Sequence, residues 1–535
     1  MLRSPRAARR SILFAGTVLV LAACSGSLDD AFPPPATRET TPPSSTASEG
    51  TDPDDQASAV GVDTAPSETS AAEGPPPAAR DYSIEWSEVS GGIEEGVITV
   101  PLDYDDPQGD TLDLYVARHR APDDSRIGVL FTNPGGPGVG ASTMALNASS
   151  WFEAPLIDRF DIVAWDPRGT GISEGAIDCI DDDEYDVFYA STDPSPDTDE
   201  ERGAIVDLAA RFGESCAARD GLVLPHIGTN NTARDMDAIR QALGEDQASY
   251  FGFSYGSELG AVWATLFPDT VRAAVFDGAA DPDADGIEST KQQWVGFERA
   301  LNTFLSECSA DSSCAFHNGG DAEAAFDELF SALDDEALPS TDGRPPVGLE
   351  VAINGVVQSM YSDSFWPALE RALDDASAGD GAGLLQLHDG YFRRNADGSY
   401  SNLLEAFQAI TCADDADRLT VEEADERGEE LVGVAPRLFP YTTGSYTCTF
   451  FPPADDPRIE VTGDRAGPIV VVGTTGDPST PLESSRAMAD ALEDGRFVQV
   501  EANQHTAYRS GDCIDDLIHD YLIWLAEPPS DAVCP

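Results

Sequence analysis

Gly252-x-Ser254-x-Gly256 places one hydroxyl between two residues that lack side chains. The apolar run 250–253 precedes it, and residues 257–267 after it have the pattern of a helix. A serine on such a tight strand-to-helix turn presents its oxygen as a nucleophile, and the glycines make room for the strained backbone. A serine hydroxyl needs a base, and the base needs an orienting acid. Four histidines follow Ser254. His317, before a Gly-Gly pair, and His388, before Asp389-Gly390, fall in turns of a segment that breaks the strand rhythm. His519 lies in the pattern of a terminal helix, 514–522, where a packing or surface role suffices. His505 follows the last good strand pattern, 497–500, in a polar loop, where a base belongs. Asp477, after the apolar run 469–472, is the natural acid, although Asp477-Pro478 is also an ordinary turn signal.

Negative charge developing on a substrate oxygen requires aimed donors. One is expected from the backbone N–H of Tyr255, after the nucleophile, and another from Gly135-Gly136, with Gly136 preferred. A phosphate loop is the rival reading of 133–140, but the segment lacks the Gly-Lys-Ser/Thr ending that handles phosphates.

These residues sit at the ends of short apolar runs. Runs at 128–131, 160–165, 250–253 and 469–472 each lead into a glycine-containing turn, and 273–276 also has the pattern of a buried strand. Segments 98–100 and 112–116 alternate as antiparallel strands do. Met236, Ile239, Ala242 and Leu243 recur at helical spacing, with Gly244 as a stop. Strand–turn–helix repetition predicts an α/β fold, a mostly parallel sheet covered by helices, with functional loops at the carboxyl ends of the strands. Residues 285–460 are mainly helical in pattern and predict an inserted cap between core segments 81–284 and 461–535.

Of 535 residues, 31 are Lys or Arg and 97 are Asp or Glu, giving a formal net charge of −66 at pH 7. That charge repels nucleic acid, which is excluded as a partner, and favours solubility. Acidic residues occur in both halves, so the charge belongs to the surface; a high-salt habitat and a general acidic bias account for it equally.

Arg3, Arg6, Arg9 and Arg10 precede an apolar run, 12–23, that is short for a membrane span and fits a signal peptide at 1–23. Leu21-Ala22-Ala23-Cys24 resembles a bacterial lipobox. That resemblance implies a lipidated Cys24 anchored in the bilayer at the outer face of the cell membrane; a plain signal peptide with a chance cysteine is the alternative. Residues 24–80, rich in Pro, Ser, Thr and acidic types, are expected to form a disordered tether. Eight cysteines then remain, an even number that suits disulfides in an exported chain. Pairing neighbours in sequence gives Cys179–Cys216, Cys308–Cys314, Cys412–Cys448 and Cys513–Cys534, with many other pairings open. No CxxC pair occurs and the six histidines are scattered, so neither a metal nor a cofactor is expected.

Four motifs in order resemble the tripeptidyl aminopeptidase branch of α/β-hydrolases, which is similar to prolyl aminopeptidases and has a TAP-like C-terminal segment. They are Asn133-Pro134-Gly135-Gly136-Pro137-Gly138, Asp166-Pro167-Arg168-Gly169-Thr170-Gly171-x-Ser173, Gly252-Phe253-Ser254-Tyr255-Gly256 and Gly476-Asp477-Pro478-x-Thr480-Pro481. The resemblance covers roughly residues 84–534. It implies Ser254 as nucleophile, Asp477 as acid, His505 as base, Gly135-Gly136 as oxyanion loop, Cys513–Cys534 as a closing pair, and Asp166 and Arg168 as a brace. The chain departs from the family at Val139, at Asn503-Gln504 before the histidine, and at Ser257-Glu258. The function implied is an exported serine hydrolase releasing residues or short peptides from peptide N-termini through an acyl-enzyme. A carboxylic ester hydrolase with the same triad is one alternative, and a non-catalytic surface binding lipoprotein is another.

Overall fold

Neighbouring residues of the central strands point to opposite faces of one sheet, and both faces are apolar. Val470 and Val472 pack on one side with Phe251, Phe253 and Val498, while Ile469 and Val471 pack on the other with Tyr250, Phe276 and Phe497. Burial on both faces explains why these strands are continuous apolar runs with no polar alternation. The computed structural model describes residues 81–190, 196, 198–341, 343–439 and 445–535. The segments read as signal peptide (1–23), Cys24 and tether (25–80) lie outside them.

The strands are β1 (Ser87–Ser90), β2 (Ile93–Pro101), β3 (Thr111–His119), β4 (Gly128–Asn133), β5 (Phe160–Trp165), β6 (Ala248–Phe253), β7 (Val271–Asp277), β8 (Ile469–Thr474), β9 (Gly495–Val500) and β10 (Ala532–Cys534). Their order in the sheet is β1-β2-β3-β5-β4-β6-β7-β8-β9-β10. The pairs among β1, β2, β3 and β5 are antiparallel. From β5 through β10 every pair is parallel. Helices Thr229–Ala242, Tyr255–Leu266 and Leu482–Ala491 cover one face; Ser142–Leu146, Ala154–Ile157 and Asp512–Trp524 cover the other. This is an α/β-hydrolase architecture. Its parallel strands bring the loops after β4, β5, β6, β7, β8 and β9 to one edge, where side chains from distant segments can meet.

Between β7 and β8 the chain forms helices Gly286–Ala310, Ala322–Asp335, Leu349–Met360, Trp366–Ser377, Ala382–Tyr391 and Leu403–Asp414. His388, read from Asp389-Gly390 as a turn residue, sits instead in the helix Ala382–Tyr391 and is buried. Its ring packs 4.6 Å from Phe392, so burial keeps the helix running through a sequence that by itself signals a turn.

Disulfides join Cys179 to Cys216, Cys308 to Cys314, Cys412 to Cys448 and Cys513 to Cys534. The third ties the helix Leu403–Asp414 to the turn Cys448–Phe450. Among the described residues no helix is long and apolar enough to cross a membrane, and no three His, Cys, Asp or Glu residues gather as a metal site.

Candidate active site

Ser254 ends β6 and begins the helix Tyr255–Leu266 with φ 55° and ψ −127°. Side chains rarely adopt that conformation, and the cost is accepted only where the surroundings enforce it. Here they do. A Cβ on Gly252 would lie 2.2 Å from Gly256 O, and one on Gly256 would lie 2.6 Å from Asn133 O. The turn therefore closes only with glycine on both sides of the serine. Ser254 N–H donates to Asp277 O at 2.9 Å, and Tyr250 OH donates to Gly256 O at 2.6 Å.

His505 and Asp477, in the loops after β9 and β8, meet with both side chains fully buried. His505 Nδ1 lies 2.9 Å from each Asp477 oxygen. Asp477 Oδ1 also accepts the N–H groups of Ser479 and Thr480, both at 2.9 Å, so the turn after the acid holds the carboxylate still. With Nδ1 donating to Asp477, Nε2 is the basic nitrogen; it is buried and makes no hydrogen bond among the described residues. The histidine is held on three further sides. Its N–H donates to Tyr361 O at 2.9 Å, the Tyr361 ring meets the imidazole edge-on at 5.7 Å, and Thr480 Oγ1 lies 3.2 Å from Nδ1. Gly278 has φ +69°, and a Cβ there would sit 3.1 Å from His505 Cε1.

The loop expected to bind the oxyanion follows β4. The Gly135 backbone approaches the elbow so closely that a Cβ would lie 2.8 Å from Ser254 Cβ and 2.6 Å from Phe253 O. Its N–H, however, already donates to Asn133 Oδ1 at 2.9 Å. Gly135, expected as a possible donor, thus supplies closeness and no free N–H. Gly136 N–H has no partner among the described residues, and Tyr255 N–H belongs to the first turn of a helix, where no intrahelical acceptor exists. Tyr255 follows Ser254 directly, and Gly136 follows the glycine whose backbone meets the elbow.

A sequence profile described as alpha/beta hydrolase fold matches residues 128–512. The chain belongs to the α/β-hydrolase family. Three relatives of this hydrolase match over more than four fifths of the chain. The serine protease Hip1 of Mycobacterium tuberculosis is 37% identical over 481 residues, covering 84% of this chain and 91% of its own. Carboxylesterase B of Mycobacterium tuberculosis is 35% identical over 470 residues, covering 85% and 88%. Tripeptidyl aminopeptidase of Streptomyces lividans is 30% identical over 472 residues, covering 85% and 86%. With this family and this arrangement of side chains, the protein is a serine hydrolase.

The hydrolase supports its site with groups further out. Asp166 accepts Ser142 N–H at 2.9 Å and Ile172 N–H at 3.0 Å, tying the loops after β4 and β5 together. Arg168 is fully buried and clamps Asp235 through two contacts of 2.7 Å. It also donates to the carbonyls of Pro101, Leu102 and His226. His519 lies in the C-terminal helix with Nε2 2.9 Å from Tyr508 OH, and His317 Nδ1 lies 3.0 Å from Cys308 O, so both serve packing. The sequence reading missed Asp277. This fully buried carboxylate accepts Ala507 N–H at 2.8 Å and Tyr508 N–H at 2.8 Å, which shapes the loop after His505. Burial pushes its pKa up to about 7, partly offset by those N–H groups. Its signal was an aspartate ending the buried run 273–276, next to Gly278.

Proposed function

We propose that this serine hydrolase is an exported aminopeptidase that releases residues or short peptides from peptide N-termini. The observation that carries the reading is the buried His505–Asp477 pair, packed on Gly278, with the strained Ser254 bonded to the neighbouring Asp277 carbonyl, in a chain whose relatives include a serine protease and a tripeptidyl aminopeptidase. Ser254 Oγ attacks the scissile carbonyl while His505 Nε2 takes its proton. The oxyanion accepts from the N–H groups of Gly136 and Tyr255. His505 then protonates the leaving amine, and water, deprotonated by the same nitrogen, releases the acyl group from Ser254.

Export rests on the residue pattern of 1–23, and lipid attachment on Leu21-Ala22-Ala23-Cys24. Mass spectrometry of the mature N-terminus tests both: a diacylated Cys24 supports the anchor, and an N-terminus elsewhere overturns it. The second reading, carboxylic ester hydrolysis, is favoured by the relative named carboxylesterase B.

A panel of free and N-blocked dipeptide and tripeptide anilides beside short acyl esters separates the two. Cleavage that vanishes when the amine is blocked supports the aminopeptidase. Turnover of esters alone overturns it in favour of the esterase. Fluorophosphonate should label the wild type and not Ser254→Ala; failure to label the wild type would sink both.

A further inference from the structure

The helix Leu403–Asp414 lies far in sequence from both donors of the oxyanion site, yet it reaches both walls. At its start, a Cβ on Gly138 would lie 2.3 Å from Leu403 O and 2.7 Å from Phe407 N, so the oxyanion loop and the first helical turn are in backbone contact. Asn402 Nδ2 donates to Gly169 O at 3.1 Å, and Glu405 accepts Cys179 N–H at 2.7 Å and Tyr185 OH at 2.8 Å, which fasten this end to the core.

At its other end, Asp414 takes two hydrogen bonds from one residue. Thr229 N–H donates to Oδ1 at 2.6 Å, and Thr229 Oγ1 donates to Oδ2 at 2.5 Å. Thr229 Oγ1 in turn contacts Tyr255 OH. When Asp414 is ionised, the threonine gives its one hydroxyl proton to the carboxylate and the phenol is the donor in that contact. Burial and the neighbouring Asp414 push the Tyr255 pKa well above its usual value, which keeps the phenol protonated for that purpose. Asp414 is pinned too: its carbonyl accepts Arg458 N–H at 3.1 Å, and Arg458 Nε pairs with Glu258 at 2.6 Å. A Cβ on Gly228 would come 3.0 Å from Asp414 Oδ1, so a larger residue there would crowd the approach.

We propose that Asp414 and Thr229 are positioning residues of the oxyanion site, holding Tyr255 by its hydroxyl so that its backbone N–H stays aimed at the developing charge. The inference rests on the serine hydrolase reading, in which that N–H is a donor. Tyr255 follows directly on the strained Ser254, at the helix end where the backbone has least support. Its ring is a rigid lever, and pinning the far end restricts rotation about the bonds that carry the N–H. The Gly135 backbone leaves little slack on the opposite side, since a Cβ there would lie 3.2 Å from Tyr255 N.

The test uses Tyr255→Phe, Thr229→Val and Thr229→Ser in the full chain. Active sites are counted by fluorophosphonate labelling, and kcat and KM are measured on whichever anilide or ester the wild type hydrolyses. Affinity for an alkyl boronic acid, which forms a tetrahedral adduct on serine, is measured alongside. Tyr255→Phe and Thr229→Val should each lower kcat per labelled site by about tenfold or more, because a donor displaced from the oxyanion loses most of its effect. KM should stay within about twofold, boronate affinity should fall with kcat, and Thr229→Ser should recover most of the rate. The double variant should be little worse than the poorer single one, since both break the same chain of bonds. Values of kcat per labelled site and boronate affinity at the wild-type level in both single variants would overturn the proposal, as would a change confined to KM. The rate of fluorophosphonate labelling gives the same comparison without a substrate. A wild type that is not labelled at all refutes the functional reading; variants that label as fast as wild type refute only the positioning role.

Discussion

At the scale of single residues, the site is built from groups whose geometry leaves each one task. Ser254→Ala should lower kcat by roughly 10⁶-fold with KM little changed, the scale of removing a serine nucleophile. Residual activity within tenfold of wild type would mean that another group attacks. Asp277 offers a sharper test because it is fully buried and its carboxylate holds backbone N–H groups. Replacing it with Ala leaves the N–H groups of Ala507 and Tyr508 without their acceptor, at about 1–3 kcal/mol each. Asp277→Ala should therefore melt lower than wild type and lose activity as the loop behind His505 relaxes. A variant with wild-type kcat and melting temperature would show that the loop holds its shape unaided. The strained turn at Ser254 and the pairing of Asp477 with His505 were legible in the sequence because each residue stands in a local pattern at the end of an apolar run. Asp277 was not, because its partners lie far along the chain and only folding brings them within 2.8 Å.

At the scale of elements, the helix Leu403–Asp414 is held by a backbone contact as well as by apolar packing. Gly138 has φ +96°, and a Cβ there meets Leu403 O at 2.3 Å. Gly138→Ala should thus cost more than about 2 kcal/mol, from backbone strain and overpacking together, and should lower kcat by displacing the helix Leu403–Asp414. Normal activity and stability would show that this contact is loose. Opening Cys412–Cys448 acts on the same helix from outside. The cross-link spans 36 residues and is worth about 3–4 kcal/mol in a chain-entropy account, so Cys412→Ser with Cys448→Ser should melt lower than wild type. The central strands were legible because burial on both faces leaves unbroken apolar runs. The helix Asp199–Asp220 was not, since Ile205, Leu208, Phe212 and Cys216 form a thin buried stripe in a charged segment. Nor was Leu349–Met360, where buried Glu350, Asn354 and Gln358 interrupt the apolar pattern.

At the scale of the whole molecule, acidity has two separable effects on stability. Burial pushes Asp277, Glu405 and Asp414 each up to about 7. Unfolded carboxylates release their protons near pH 4. For acids raised on folding, the stabilisation is complete below that value and is lost as pH rises through 7. Melting temperature should therefore be higher at pH 5.5 than at pH 8.5. Self-repulsion from a net charge of −66 has the same sign, but salt screens it and leaves buried groups nearly untouched. In about 1 M salt the melting temperature should rise at both pH values while a pH difference remains. A difference that salt abolishes would assign the whole effect to the surface.

The placement of the helices between β7 and β8 also sets a schedule for biosynthesis. Ser254 and its elbow are made early, but the acid and the base arrive only with β8 and β9, after the long helical insertion. On the proposed roles, a ribosome partway through the chain carries a nucleophile with nothing to activate it. On the same roles, chemistry begins only once the last strands have joined the sheet, when the polypeptide is nearly complete.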